Sequence, residues 1–288
     1  MSPGPLEPTE TITFSSADGT ELYGEWFAAD VPRGIALIVH GYAEHCGRYR
    51  EVARVVSELG HHVLSFDFRG HGRSSGQRGH LSRFSDYLDD IKAALDQLRA
   101  RAGSLPLLVV GHSMGALVSL RLFADSNRSP DDAYALIVSS PFLGLALQVP
   151  VAKVLIGRIA SRILPSLSLP NELDVTMLTS DRERQEQRRV DTLCHDVASA
   201  RWFTEVTQTQ KWVLDNVDQI TVPTLWLVAG SDQIADPTKS RAVADRMRTD
   251  CRYHEFDHMQ HEVFNETERQ RVFEQMSIFV SDVIPEPT

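Results

Sequence analysis

Cysteine is scarce in this chain of 288 residues: there are three, and they lie far apart at positions 46, 194 and 251. This spacing predicts neither a disulfide framework nor a cluster of metal ligands, and it favours a reducing compartment. Basic residues are outnumbered, with 29 Lys and Arg against 39 Asp and Glu, which gives a formal net charge of −10. Because nucleic-acid binding needs a basic face, this balance argues against nucleic acid as a partner.

Long apolar runs are also missing. No stretch approaches the roughly 20 consecutive apolar residues of a membrane-spanning helix. The start, MSPGPLEP, has neither the basic nor the apolar region of a secretory signal. We therefore expect a cytoplasmic location. Hydrophobic residues make up 42% and charged residues 24% of the chain, as in an ordinary globular protein. The length suits one large α/β domain with an insertion, or two small domains.

Strand-like apolar segments alternate with helix-like segments along most of the chain. The predicted strands are 11–15, 22–27, 35–39, 62–66, 107–110, 133–138, 224–228 and 252–256. The predicted helices are 52–59, 84–102, 116–122 and 266–283. This alternation predicts an α/β fold with a mostly parallel sheet that is covered by helices on both faces.

The alternation stops between residues 141 and 217. This stretch is helix-like, contains several prolines and offers no clear core strand. We interpret it as a helical cap inserted after the sixth strand, with residues 1–140 and 218–288 forming the core domain. Within the cap, the charge-dense stretch 181–189 is balanced in sign and predicts a solvated helix face.

A nucleophile elbow is the clearest motif in the chain. Residues 111–115 read GHSMG and fit the pattern G-x-S-x-G, in which a serine occupies the tip of a sharp turn. The apolar run 107–110 before them predicts a strand, and the run 116–122 after them predicts a buried helix. Strand, turn and helix together are the context that this motif requires. Ser113 is therefore the predicted nucleophile.

A serine nucleophile needs a base to remove its proton and a carboxylate to orient that base. In the arrangement built on this elbow, the acid follows the serine, the histidine comes last, and both lie after later strands. Asp232 stands just past the predicted strand 224–228 and is the predicted acid. Asp236 is the rival, but it precedes Pro237 and so fits the capping position of a helix.

Three histidines lie in or after the last predicted strand: His254, His258 and His261. His261 stands just before the closing helix, where the base of this arrangement belongs, whereas His258 is typical of a surface loop. The oxyanion of an acyl transfer also needs hydrogen-bond donors. The N–H of Met114 supplies one, and the loop after the third predicted strand supplies the other, with the Tyr42 N–H as the candidate.

Four segments carry a family resemblance. Residues 40–49 read HGYAEHCGRY, similar to the pattern H-G-x-G-E-H-x-x-R-Y, and residues 67–74 read DFRGHGRS, similar to D-x-R-G-H-G-x-S. The elbow 111–115 and the segment 261–266, HEVFNE, complete the set. In this order the segments resemble the monoacylglycerol lipase and lysophospholipase family of α/β hydrolases. The resemblance covers nearly the whole chain except the cap and the two ends.

The resemblance implies the α/β-hydrolase fold with a catalytic triad of Ser113, Asp232 and His261. It likewise implies that the oxyanion donors are the N–H groups of Tyr42 and Met114. These assignments agree with those made from the residues themselves.

Glu44 and Arg48 resemble the polar pair that the family uses near the alcohol end of the substrate. An ion pair that only shapes the oxyanion loop is an equally good interpretation. The chain departs from the family pattern at two positions. Ala43 stands where a glycine is common, which leaves the loop less conformational freedom. Phe264 stands where mammalian members have a second polar histidine, so the resemblance does not extend to recognition of a glycerol headgroup there.

The cap segment 151–163 is amphipathic on a helix. Its apolar stripe consists of Ala152, Leu155, Ile156, Ile159 and Ile163, opposite Lys153, Gly157 and Ser161. The stripe either packs on the cap itself, or it lines an acyl-chain tunnel or touches a lipid surface with the help of Arg158 and Arg162. In the second case Leu155, Ile156 and Ile159 bind the substrate.

Together these residues predict a serine hydrolase that cleaves carboxylic esters of single acyl chains, above all monoacylglycerols, without a cofactor or metal. The expected partner is a small lipid ester, with transient contact between the cap and a membrane or micelle surface. A lysophospholipase, a short-chain carboxylesterase and a non-catalytic binding protein of the same fold are the alternatives.

Overall fold

Parallel strands form the centre of the fold. The computed structural model describes residues 5–146, 151–171 and 173–285, and for 151–156 it describes the backbone alone. The strands in chain order are β1 (Glu10–Ser15), β2 (Glu21–Phe27), β3 (Gly34–Val39), β4 (His61–Phe66), β5 (Leu107–His112), β6 (Ala133–Ser139), β7 (Ser168–Pro170), β8 (Val197–Ser199), β9 (Thr224–Ala229) and β10 (Cys251–Phe256).

Eight of these strands make one sheet in the order β1-β2-β4-β3-β5-β6-β9-β10. The pairs from β4 to β10 are parallel, and β1 and β2 add two antiparallel pairings at one edge. Every residue of β3 and β5 is buried, as expected for parallel strands that are covered on both faces. The predicted α/β-hydrolase architecture is thereby confirmed.

Helices cover both faces of the sheet. In chain order they are α1 (Arg50–Glu58), α2 (Ser85–Ala102), α3 (Met114–Phe123), α4 (Val151–Ile163), α5 (Arg182–Val190), α6 (Ala200–Asn216), α7 (Pro237–Ala244) and α8 (Arg269–Val283). Side chains of α2, α3 and α6 share one apolar core with one face of the sheet, and those of α1 and α8 share a second core with the other face. The closing helix begins at Arg269 rather than at the predicted Glu266, because a short 3-10 turn, Val263–Asn265, precedes it.

The described residues between β6 and β9 add no strand to the central sheet. Strands β7 and β8 pair with each other in a separate antiparallel ribbon, and α6 packs against α3 of the core. No residue of α5 is buried, which agrees with the charge-dense helix predicted there. Among the helices in the described part of the chain, none is both long enough and apolar enough to cross a membrane.

Candidate active site

The elbow lies where β5 turns into α3. Ser113 has φ +51° and ψ −114°, a left-handed conformation that costs a non-glycine residue energy and is typical of functional sites. The flanking glycines make the turn possible. A Cβ on Gly115 would lie 2.2 Å from the Val39 carbonyl oxygen, and one on Gly111 would lie 2.8 Å from the Ala116 Cα. Close packing on both sides therefore fixes the position of the serine.

Ser113, His261 and Asp232 form one hydrogen-bonded chain. His261 Nε2 lies 2.7 Å from Ser113 Oγ, and His261 Nδ1 lies 2.7 Å from Asp232 Oδ2. Asp232 Oδ1 accepts hydrogen bonds from the backbone N–H groups of Ile234 at 2.8 Å and Ala235 at 2.9 Å. These bonds hold the carboxylate with its second oxygen toward the imidazole. The fold thus brings together the three residues that the sequence assigns to the triad.

The environment of His261 favours its protonated form. Burial opposes the charge, but the Asp232 carboxylate and its hydrogen bond, with further help from Glu262 and Glu44, raise the pKa of His261 above its ordinary value. The neighbouring ring of His112 lies 5.0 Å away between centroids. Burial and the nearby His261 lower the pKa of His112 to about 4. An imidazolium that forms on His261 is therefore stabilised by carboxylates rather than opposed by a second charged histidine.

The rival residues lie elsewhere. Asp236 caps α7, where its Oδ1 accepts a hydrogen bond from the Thr238 N–H at 2.9 Å. His254 lies within β10, and His258 is exposed. Among the hydrogen bonds of the described residues, none joins these three side chains to Ser113.

The two expected oxyanion donors flank Ser113. Met114 is the first residue of α3, so its N–H has no partner within the helix. Tyr42 lines the cavity at Ser113, in a loop where Glu44 Oε1 accepts a hydrogen bond from the Gly41 N–H at 2.6 Å. Ala43, the departure from the family's glycine, has φ +63°. The loop thus adopts the conformation that favours glycine, and the alanine tolerates it at a cost.

The segment between β6 and β9 is hydrogen-bonded to this loop. Residues 42–45 make four hydrogen bonds to residues 188–197. These bonds run from Arg188 Nη2 to Ala43 O (2.8 Å), from the His195 N–H to the same oxygen (3.2 Å), from the Tyr42 O–H to Val197 O, and between His45 Nε2 and Asp191 Oδ2 (2.8 Å).

A cavity of about 620 Å³ opens at Ser113, a size typical of small-molecule sites. Away from the serine its walls are mostly apolar and include Phe142, Leu145, Leu178, Trp202, Phe203 and Ile234. Beside the serine they are polar and include Glu44, His112, His261 and Glu262. The cavity therefore suits an ester that has one apolar and one polar part.

Among the described side chains of helix α4, small residues face the cavity and Ile159 of the apolar stripe does not. Gly157 and Ala160 line the cavity, whereas Ile159 is 52% exposed. Ile159 thus lies outside the cavity wall, contrary to its predicted contact with the substrate. Helical periodicity shows which residues share a face, but not the direction in which that face points. The side chains of Leu155 and Ile156 lie outside the described residues.

Arg48 also lies outside the cavity wall, contrary to its predicted contact with the substrate. Its Nε donates to Glu44 Oε2 at 3.0 Å and its Nη2 donates to Glu262 Oε2 at 2.5 Å. The guanidinium is thus enclosed by two carboxylates, and Glu262 takes its place at the wall. Reasoning from the sequence missed Glu262, although an acidic residue directly after the base His261 was a visible signal.

Glu44 lines the cavity, but its contacts lie within the loop. Its Oε1 accepts from the Gly41 N–H at 2.6 Å and from the Tyr49 O–H at 2.5 Å. Burial disfavours its charge, but Arg48 and two nearby histidines bring the pKa of Glu44 down to about 2. Phe264, the second departure from the family pattern, is buried, and its ring is nearly perpendicular to the ring of Tyr49. Glu44 is therefore hydrogen-bonded within the loop that carries Tyr42 and also gives the cavity a negative charge.

The fold and the site together define the protein as an ester-hydrolysing enzyme of the α/β-hydrolase class. This class is characterised by a parallel sheet, a serine at the strand-to-helix elbow, and an aspartate and a histidine after later strands. The model of a family described as "Serine aminopeptidase, S33" matches residues 30–268. The chain belongs to this family.

Comparison with known proteins gives relatives along nearly the full chain. Phospholipase YtpA of Bacillus subtilis (strain 168) is 33% identical over 261 residues, which cover 89% of this chain and 98% of the relative. Monoacylglycerol lipase of Mycolicibacterium smegmatis is 28% identical over 274 residues, with coverage of 93% and 95%. The crystal structure of Paleococcus ferrophilus monoacylglycerol lipase has a TM-score of 0.82 at 29% identity and covers 90% of this chain and 98% of its own. The family resemblance read from the motifs is confirmed.

Proposed function

We propose that this lipolytic α/β hydrolase cleaves carboxylic esters of single acyl chains, above all monoacylglycerols, into a fatty acid and an alcohol. The observation that carries the proposal is the Ser113–His261–Asp232 chain at the polar end of a mostly apolar cavity. The relatives from M. smegmatis and P. ferrophilus that are named monoacylglycerol lipases support this choice of substrate.

The reaction begins when Ser113 Oγ attacks the ester carbonyl carbon while His261 Nε2 takes the hydroxyl proton. Asp232 keeps Nδ1 protonated and stabilises the imidazolium. The N–H groups of Tyr42 and Met114 donate to the carbonyl oxygen as it becomes negative. His261 then returns its proton to the alcohol oxygen, the C–O bond breaks, and the acyl group remains on Ser113. Water, activated by the same imidazole, releases the fatty acid.

Residues 141–217 act as a cap in this proposal. Side chains from this segment, among them Phe142, Trp202 and Phe203, form part of the apolar wall. A cavity enclosed in this way has room for one acyl chain but not for a glycerol that carries three. Longer chains gain about 0.8 kcal/mol for each buried methylene until the cavity is full.

The outer surface of the cap suits transient contact with a membrane or micelle. Its exposed apolar side chains include a group between residues 159 and 169: Ile159, Ile163, Leu164, Leu167 and Leu169. Leu169 also lines the cavity, and Arg158 and Arg162 are exposed beside these residues. An apolar surface rimmed by cations is typical of contact with lipid, and Leu169 places this surface at the entrance to the cavity.

A lysophospholipase is the second candidate, because the relative at 33% identity is named a phospholipase. The wild-type enzyme should be compared with Ser113→Ala on monooleoylglycerol, trioleoylglycerol, oleoyl lysophospholipid and p-nitrophenyl butyrate. We expect the fastest hydrolysis with monooleoylglycerol and a loss of several orders of magnitude with Ser113→Ala at an unchanged melting temperature. Equal rates on mono- and trioleoylglycerol, or a Ser113→Ala variant that keeps more than a few per cent of activity, would overturn the proposal.

A further inference from the structure

Two carboxylates share one guanidinium beside the catalytic histidine. Arg48 Nε lies 3.0 Å from Glu44 Oε2, and Arg48 Nη2 lies 2.5 Å from Glu262 Oε2. The exposed fractions of the side chains are 10% for Arg48, 4% for Glu44 and 6% for Glu262. One guanidinium cannot neutralise two carboxylates, so this cluster has an excess of negative charge. Burial keeps that charge from being screened by salt.

The excess charge lies at the cavity itself. Glu44 and Glu262 line the cavity, and no Lys or Arg is among its described lining residues. The Asp232 carboxylate adds a further negative charge behind His261. The neutral His112 completes this end of the cavity. A substrate whose acyl chain occupies the apolar part therefore places its alcohol against an acidic wall.

Glu262 is the carboxylate that still has an oxygen available to accept a hydrogen bond. Its Oε2 accepts from Arg48 and from Asn265 Nδ2, the latter at 2.8 Å. Its Oε1 takes part in none of the hydrogen bonds found among the described residues. Both oxygens of Glu44, by contrast, are occupied within the loop. Glu262 is thus the acidic group at the cavity wall that can still accept a hydrogen bond from a substrate alcohol.

We propose that Glu262 makes the alcohol end of the site a charge filter, which admits neutral and cationic alcohols and rejects alcohols that carry a phosphate. The inference rests on the proposed function and specifies its substrate class. A phosphate beside an uncompensated buried carboxylate is repelled, a glycerol hydroxyl donates to the free oxygen, and a quaternary ammonium is attracted. The filter therefore separates monoacylglycerols from lysophospholipids whose phosphate lies close to the ester.

The test uses three soluble esters with the same acyl chain: 1-hexanoylglycerol, 1-hexanoylglycerol 3-phosphate and hexanoylcholine. All are assayed as monomers at mildly alkaline pH, so that no charged lipid surface contributes. We expect kcat/KM for the phosphate ester to be at least about tenfold below that for 1-hexanoylglycerol, which corresponds to about 1.4 kcal/mol. This difference should persist at high salt, because buried charges are poorly screened.

Glu262→Gln removes the charge and keeps an oxygen that Arg48 and Asn265 can donate to. We expect this variant to raise the rate on the phosphate ester relative to the neutral ester, to lower the relative rate on hexanoylcholine, and to move the acid limb of the pH profile downward. Glu268→Gln is the matched control. Glu268 is an exposed acid that pairs with Arg271 on the surface, and its replacement should leave both rate ratios and the pH profile unchanged.

The outcomes separate the inference from the function on which it rests. If 1-hexanoylglycerol is not hydrolysed, the proposed function fails and the inference fails with it. If it is hydrolysed and the wild type cleaves the phosphate ester equally well, the charge filter alone is refuted. The charge filter is likewise refuted if Glu262→Gln leaves the ratios as they were. The wild-type ratio decides the question even if the variant does not fold.

Discussion

Replacement of Asp232 by asparagine tests how the carboxylate acts. Asp232 Oδ1 is held by two backbone N–H donors, and Oδ2 accepts from His261 Nδ1. In Asp232→Asn the amide oxygen stays with the two backbone donors, so the NH₂ group turns to His261. Nδ1 must then accept, the ring proton moves to Nε2, and that nitrogen no longer accepts the Ser113 proton.

The expected loss is a factor of about 10⁴ in kcat, the size that a wrong histidine tautomer causes in serine proteases. This factor corresponds to about 5 kcal/mol of transition-state stabilisation. The assay is steady-state hydrolysis of p-nitrophenyl butyrate, together with the melting temperature of each variant. The side chain keeps its size and its backbone hydrogen bonds, so the melting temperature should change little.

Asp236→Asn is the matched control. Asparagine and aspartate cap helices about equally well, so this variant should keep both activity and stability. Asp236→Ala should cost about 1 kcal/mol of stability while leaving kcat intact. If Asp232→Asn retains a tenth of the wild-type activity, or Asp236→Asn loses as much as Asp232→Asn, the assignment of the acid is refuted.

Three further predictions follow from the site and its surroundings. Because the pKa of His261 is raised and only the neutral ring accepts a proton, kcat/KM should fall with decreasing pH at a midpoint above about 6.5; a flat acidic profile would exclude a histidine base. Gly115→Ala places a Cβ 2.2 Å from the Val39 carbonyl oxygen and should cost about 3 kcal/mol or more, which calorimetry would detect; a normal melting temperature would contradict the tight elbow. Ile163→Asp at the exposed end of α4 should slow hydrolysis of monooleoylglycerol in vesicles but not of 1-hexanoylglycerol in solution; equal effects on both substrates would argue against the proposed lipid contact.

Features set by local sequence could be predicted well. The elbow requires small residues at fixed offsets from the serine, and the steric fit of Gly111 and Gly115 shows why these positions identify it. The parallel strands are buried on both faces, so they form continuous apolar runs that a sequence displays directly. The predicted acid and base, Asp232 and His261, could be assigned because they follow the last two predicted strands.

Features set by distant partners could not be predicted. Glu262 and Arg48 are separated by 214 positions, and no pattern in the sequence joins them. The sequence predicts that the stripe with Ile159 forms one face of a helix, but the direction of that face depends on how α4 packs against α6. Only the folded chain shows that Gly157 and Ala160 line the cavity while Ile159 and Ile163 are exposed.

The hydrogen bonds between residues 42–45 and 188–197 determine the conformation of the 42–45 loop before substrate binds. Each such bond contributes about 0.5–1.5 kcal/mol to stability. Breaking all four to separate the two segments would therefore cost about 4 kcal/mol. By that measure a conformer with the two segments apart is populated at about one part in a thousand. The loop that carries the predicted oxyanion donor Tyr42 is thus preorganised in the free enzyme, and substrate binding does not need to supply the free energy to assemble it.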